Sequence, residues 1–176
     1  MYLIFDTETT DLVHNSLRPL GKQPKLIEFF GLRLNRDMEE IGAIQQLINP
    51  GIPIPEEITK ITSITNDMVK EAPMVHEVIS DLVKIIENND TVVAHNLSYD
   101  MSIMNFEGLR CGWQIKWPKH LVCTVEATEW MKGHRLKLAS LYEELFGETF
   151  ENAHRAENDV RATARIFVEL VKRGEI

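Results

Sequence analysis

Three short segments carry the side chains with chemistry in them: Asp6-Thr7-Glu8, His95 to Asp100, and His154 to Asp159. Asp6 and Glu8 stand two apart at the end of the apolar run Met1 to Phe5, and alternate residues of a strand face the same way, so both carboxylates address one site. Asp100 follows the apolar run Thr91 to Ala94, and Asp159 falls near the start of the last helical segment. Carboxylates gathered this way repel one another by about 4 kcal/mol for two unit charges 4 Å apart at an effective dielectric near 20, unless a cation intervenes. Hard oxygen ligands select Mg²⁺ or Mn²⁺. Two such ions about 3.5–4 Å apart hold the attacking and leaving oxygens of an in-line phosphoryl displacement, while a neutral histidine takes the proton from water. His154 and Asp159 are five residues apart, about 140° around one continuous helix, so they converge only if that helix starts after His154. The chemistry expected of this set is hydrolysis of a phosphodiester.

Taken singly, the segments are weak signals. Asp6-Thr7-Glu8 alone reads as a solvated strand end, and His95 alone as a hydrogen-bonded structural histidine. Together and in this order, the Asp-x-Glu, the His-Asn-x-x-aromatic-Asp and the His-x-x-x-x-Asp segments resemble the DEDD superfamily of 3′–5′ exonucleases, in its catalytic-histidine branch, which includes proofreading subunits of bacterial replicative polymerases. The resemblance runs from Tyr2 to about Leu170 and takes in Ile61 to Val69 ahead of the second motif. It implies a ribonuclease H-like fold, Asp6, Glu8, Asp100 and Asp159 as metal ligands, and His154 as general base. It also implies that Thr7 and Leu12, just after the first motif, and Glu57 and Thr62 line the nucleotide site.

Two departures from the family pattern fall near that nucleotide site. Asp11 stands where the family usually has Gly after its paired threonines, and Asp tolerates positive φ well enough to keep a turn. Thr62-Ser63-Ile64-Thr65 stands where the family often reads His-Gly-Ile-Thr. Neither touches a metal ligand, and both leave the substrate preference open.

The elements that must position these residues alternate along the chain. Tyr2 to Phe5, Leu26 to Leu34 and Ile41 to Ile48 read as strands, followed by a rigid connection through Pro50, Pro53 and Pro55 and by short helical turns over 56–69. Val75, Val78, Ile79, Leu82, Val83 and Ile86 recur at helical spacing after Pro73 and lead into a strand over 91–94. A helix after Ser98 carries Asp100 and ends near Gly108 or Gly112, and 121–124 reads as a short strand. Leu138, Leu141, Tyr142 and Leu145 mark another helix, and Ala156, Val160, Thr163, Phe167, Leu170 and Val171 the last. The expected architecture is α/β: a mixed sheet of about five strands with helices on both faces.

The 176 residues suit a single domain, 1–176, without repeats or low-complexity stretches. The start lacks a basic leader, its apolar run is too short for a signal peptide, and no stretch is long enough to span a bilayer, which points to a cytoplasmic protein away from membranes. Cys111 and Cys123 lack zinc-site spacing and read as reduced structural thiols, and His14, His76, His120 and His134 read as surface or turn residues.

A net charge of −8 runs against nucleic-acid binding, although setting aside the four proposed ligands leaves −4. Between Arg110 and Lys137, six basic residues (Arg110, Lys116, Lys119, Lys132, Arg135, Lys137) face Glu126 and Glu129, which suits either a track for a nucleic-acid backbone or an ordinary solvated surface. Trp113, Trp117 and Trp130 share that stretch; core packing is expected for at least two of them, with base stacking the alternative use.

The sequence therefore reads as a metal-dependent 3′–5′ exonuclease that releases nucleoside 5′-monophosphates from DNA with a free 3′ end, in proofreading or repair, with a DNA polymerase or replication complex as its partner. Two alternatives stand: an RNA 3′-end exonuclease resembling an oligoribonuclease, and a polymerase-associated binding subunit with weak activity.

Overall fold

A central strand buried on both faces organises the molecule. In the computed structural model, which describes residues 1–13, 18–150 and 155–176, β1 (Tyr2–Thr9) has Leu3, Ile4 and Phe5 fully buried. Around it lie β2 (Leu26–Leu34), β3 (Glu40–Leu47), β4 (Thr91–Ala94) and β5 (His120–Cys123), in the order β3-β2-β1-β4-β5. The β3-β2-β1 half is antiparallel, and β1, β4 and β5 run parallel. The sheet is mixed and five-stranded, as expected. β1 is longer than its apolar run suggests, because pairing with β2 continues through Asp6↔Phe30 and Glu8↔Glu28.

The described helices are α1 (Glu56–Thr62), α2 (Asn66–Val69), α3 (Val75–Glu87), α4 (Leu97–Arg110), α5 (Thr124–Lys132), α6 (Leu138–Phe146) and α7 (Ala156–Arg173). Strand alternation sorts them onto two faces. Leu3 and Phe5 pack with Ile79, Leu82 and Ile86 of α3 and with Ile103 and Met104 of α4. Ile4, between them, points the other way and packs with Phe30, Val93 and with Val160 and Phe167 of α7. The same alternation sends Asp6 and Glu8 to the α7 face and Thr7 to the α4 face.

Helix α5 is the element that the sequence reading left out. Its buried positions are Thr124, Val125 and Thr128, so the inner face is largely threonine and gives little apolar periodicity. The tryptophans also depart from expectation: Trp113 and Trp130 are exposed, and Trp117 packs beside Phe5 with its indole N–H on Asn105. The basic stretch is not one track. Arg110 is folded inward onto Glu107 and three backbone carbonyls, and Lys132 is paired with Glu144. Lys119 sits beside Met1, Asp90 and His120, at the opposite end of the sheet from the carboxylates. Both cysteines are free thiols, and among the described residues no helix is long and apolar enough to cross a membrane.

Candidate active site

Asp6, Glu8 and Asp159 meet at the end of β1. One carboxylate oxygen from each lies within 4.8 Å of the others. Asp6 and Glu8 come from the strand, and Asp159 from the first turn of α7, whose helical residues begin at Ala156, after His154. The helix boundary thus meets the condition set by the five-residue spacing. His154 itself lies outside the described residues.

Asp100, the fourth predicted ligand, stands behind this trio. It is buried in the first turn of α4, and its Oδ1 accepts from the Thr7 N–H at 3.0 Å and the Thr7 hydroxyl at 2.6 Å. Thr7 is thereby fixed on the α4 side of β1, tying the first motif to the second.

Burial and neighbouring like charges dominate the electrostatics of Asp6 and Glu8. Burial, and after it Asp100, Glu8, Asp159 and Glu28, raises the Asp6 pKa well above the carboxylate range. Glu8 is pushed up to about 8, first by burial and then by Asp159, Glu28 and Asp100, with Arg155 opposing. Asp100 rises to about 7 through burial, against the two hydrogen bonds from Thr7. A hard divalent cation fits this donor set of oxygens, since it replaces mutual repulsion by attraction.

The α7 terminus is held from beneath by a residue that the motifs did not show. Glu28, opposite Glu8 on β2, is fully buried and accepts from Arg155 Nη2 at 2.9 Å, Gln45 Nε2 at 2.8 Å and the Ala156 N–H at 3.3 Å. It satisfies one of the orphan donors of the helix N-terminus that carries Asp159. Its signal in the sequence was a glutamate inside the apolar strand Leu26 to Leu34, where a buried charge requires partners.

Asp6 and Asp159 line an open cleft of about 530 Å³ together with His95, Asn96, Val125, Arg135, Leu136, Lys137 and Leu138. Thr7, Leu12, Glu57 and Thr62, predicted to line the nucleotide site, are not among the described residues of its wall. Leu12 is 62% exposed in the segment after β1, and Glu57 is exposed on α1. Thr62 is buried, with its hydroxyl donating to the Ile58 carbonyl and accepting from the Ile64 N–H.

The two departures from the family pattern have local explanations. Asp11 is not at positive φ; its carboxylate accepts from the Leu12 N–H, and its carbonyl is reached by the hydroxyls of Thr9 and Tyr99. Side-chain hydrogen bonds hold this turn, so it does not depend on tolerance of positive φ. Ser63, by contrast, closes α1 at φ 60°, ψ 10°, the left-handed conformation for which glycine is suited.

Fold and site define a class before any comparison: an α/β domain with half-buried carboxylates at the end of its central strand and a cleft beside them. Residues 3–167 match the family model described as exonuclease, and the chain belongs to that family. Over 173 residues it is 31% identical to the DNA polymerase III subunit epsilon of Treponema pallidum, covering 97% of this chain and 76% of that protein. Against the PolC-type DNA polymerase III of Clostridium perfringens it is 31% identical over 167 residues, 94% of this chain. The chain spans 11% of the length of that relative. Among solved structures, the nuclease domain of 3′hExo, a DEDDh family member bound to rAMP, superposes with a TM-score of 0.81 at 20% identity, covering 98% of this chain and 92% of that one. Exonuclease X in complex with 5′ overhanging duplex DNA gives 0.71 at 23% identity, covering 99% and 93%. The fold is ribonuclease H-like.

Proposed function

We propose that residues 1–176 act as one exonuclease domain that removes nucleoside 5′-monophosphates from a free 3′ end of DNA, in proofreading or repair. The observation that carries this reading is the convergence of Asp6, Glu8 and Asp159, with carboxylate oxygens within 4.8 Å of one another and with Asp6 and Glu8 raised in pKa, beside an open cleft in a chain of the exonuclease family. Asp6, Glu8, Asp100 and Asp159 are the proposed holders of two Mg²⁺ or Mn²⁺ ions, which when bound supply charge neutralisation at the attacking and leaving oxygens.

The chain's own residues divide the remaining work. Thr7 orients Asp100, and Glu28 with Arg155 seats the α7 terminus that presents Asp159. His154, two residues ahead of α7, is the proposed general base: a neutral imidazole accepts the proton of the attacking water. Leu12, exposed beyond β1, is proposed to contact the terminal nucleotide through its apolar side chain. Thr7, Glu57 and Thr62 complete the proposed nucleotide contacts, although the hydroxyls of Thr7 and Thr62 and the N–H of Thr7 are engaged within the chain.

A replicative polymerase is the proposed partner, supported by the likeness to an epsilon subunit along most of that protein's length. The free thiols suit the reducing cytoplasm as the place of action. Digestion of end-labelled linear and circular single strands, with DNA and RNA arms and with Mg²⁺ or Mn²⁺, tests the reading. Linear DNA should shorten to 5′-monophosphates while the circle survives; cuts within the circle would contradict exonuclease action, and faster loss of RNA would reassign the substrate.

A further inference from the structure

His95 and Asn96 open the second motif, yet neither is among the clustered carboxylate ligands, and their contacts lead elsewhere. The His95 ring is tied at both nitrogens, Nδ1 to the Thr124 hydroxyl at 2.9 Å and Nε2 to the Leu136 carbonyl at 3.2 Å. A carbonyl only accepts, so Nε2 carries the proton and Nδ1 accepts from Thr124. Asn96 is the N-cap residue of α4, a position where asparagine commonly caps helix N–H groups, but it makes no side-chain cap bond. Its Oδ1 instead accepts from Arg135 Nη2 at 2.8 Å. Both side chains therefore grip one segment, the turn between α5 and α6.

That turn starts at Gly133, in the left-handed conformation, and ends at Lys137, the N-cap residue of α6. Pinned at Arg135 and Leu136, it lines the same cleft as Asp6 and Asp159. The cleft, about 530 Å³, falls in the usual range of sites that enclose small ligands, ~300–1,000 Å³. The lining thus includes two carboxylates, a guanidinium and an ammonium. A phosphate fits between opposite charges of this kind once the carboxylates hold cations, because its oxygens can face both.

We infer that His95 and Asn96 are positioning residues that dock the 133–137 turn, and that Arg135 and Lys137 on it bind a phosphate of the nucleic-acid substrate in the cleft that the carboxylates line. The inference rests on the exonuclease reading above and extends it to the recognition of the backbone. Arg135 presents a planar fork matched to phosphate oxygens, and its bond to Asn96 sets the plane of that fork. Lys137 adds a point charge. In a chain of net charge −8, two cations placed at the site do what a basic surface does elsewhere.

The test compares wild type with Arg135→Ala, Lys137→Ala, their combination, and Asn96→Ala. Three quantities are read: calorimetric affinity for Mn²⁺ alone, affinity for thymidine 5′-monophosphate with Mn²⁺ present, and the salt dependence of binding to a single-stranded oligonucleotide in chelator. Arg135 and Lys137 are exposed, so their removal leaves the core intact. Arg135→Ala should weaken monophosphate binding by about tenfold, as expected for a charged hydrogen bond, and raise KM more than it lowers kcat. Each cation removed should reduce the log–log salt slope by about 0.7. Asn96→Ala, which keeps both cations, should reproduce part of the affinity loss, and Mn²⁺ affinity should hold throughout.

A double variant that binds the monophosphate as tightly as wild type, with an unchanged salt slope, overturns the inference. So does loss of Mn²⁺ affinity in Arg135→Ala, which would make Arg135 a support of the carboxylates. Wild-type affinity in Asn96→Ala overturns the docking role. If wild type itself fails to bind Mn²⁺, the metal reading falls, while the oligonucleotide titration in chelator still decides whether Arg135 and Lys137 hold phosphate.

Discussion

Glu107 and the Asp6-Glu8-Asp159 cluster are both acidic and both set against the central sheet, yet their surroundings are opposite. Glu107, 2% exposed on α4, has Arg110 at 2.7 Å and accepts from the Leu26 N–H at 2.9 Å, while Arg110 donates to the carbonyls of Leu20, Gln23 and Pro24. Both donors, from Leu26 and Arg110, meet its Oε1 oxygen, and Arg110 brings the opposite charge. In the cluster, acids face acids. Arg155, which opposes the rise at Glu8, is itself paired to Glu28. The difference teaches how a fold treats two kinds of carboxylate: Glu107 is supplied with a countercharge by Arg110, whereas Asp6 and Glu8 have acids as neighbours and are raised in pKa.

The largest effects should come from the cluster side of this comparison. His154→Ala should lower turnover by about 10²–10⁴-fold while calorimetric Mn²⁺ titration still shows binding, since the proposed general base is lost and the proposed ligands remain. Asp159→Ala should lower both. Near-normal turnover in His154→Ala at neutral pH, or metal loss as complete as in Asp159→Ala, would transfer the base role to another group.

Glu107 should respond in stability and not in chemistry. Arg110→Met leaves a buried carboxylate without its partner, a change expected to cost about 3–5 kcal/mol in urea unfolding. Metal affinity of the folded fraction should be unchanged. A drop in Mn²⁺ affinity matching the stability loss would erase the distinction between the two acidic regions.

The smallest effect tests a site that belongs to neither. Ser63 holds a left-handed conformation at the end of α1, so Ser63→Gly should raise stability by about 1 kcal/mol without altering turnover. An unchanged or lowered unfolding midpoint would show that the Ser63 side chain offsets its backbone strain.

Much of this was legible in the sequence because the signals were local. The apolar run before Asp6, the helical spacing after Pro73 and the alternation of elements gave the sheet and most helices their places. The three motifs named carboxylates of which three converge directly, with Asp100 behind them. What stayed hidden depends on tertiary partners. Glu28 reads as one more strand residue until Arg155 and Ala156 arrive from 127 and 128 positions away. Helix α5 buries threonines, and the two exposed tryptophans show that residue type alone does not fix burial. Likewise, the basic stretch was visible as composition, but the fold sends Arg110 inward, Lys119 to the far end of the sheet, and Arg135 and Lys137 to the cleft.

Thermal melting with and without Mg²⁺, at about pH 5.5 and about pH 8.5, tests the central claim that the cluster is built to be completed by a cation. Glu8 rises from its ordinary 4.5 to about 8 on folding, Asp100 from 3.8 to about 7, and Asp6 also rises. Groups raised in this way stabilise the metal-free fold fully below their unfolded pKa, and that contribution is lost as pH climbs through the folded values. His95, lowered to about 4 mainly by burial, works in the opposite sense between its ordinary 6.5 and 4, one group against three. The metal-free protein should therefore melt lower at the higher pH. Mg²⁺ should raise the melting temperature most at that pH, where the carboxylates are ionised, and Asp159→Asn should lessen both the pH trend and the metal response. A metal-free melting temperature that is flat or rising with pH, together with no shift at saturating Mg²⁺, would contradict the account.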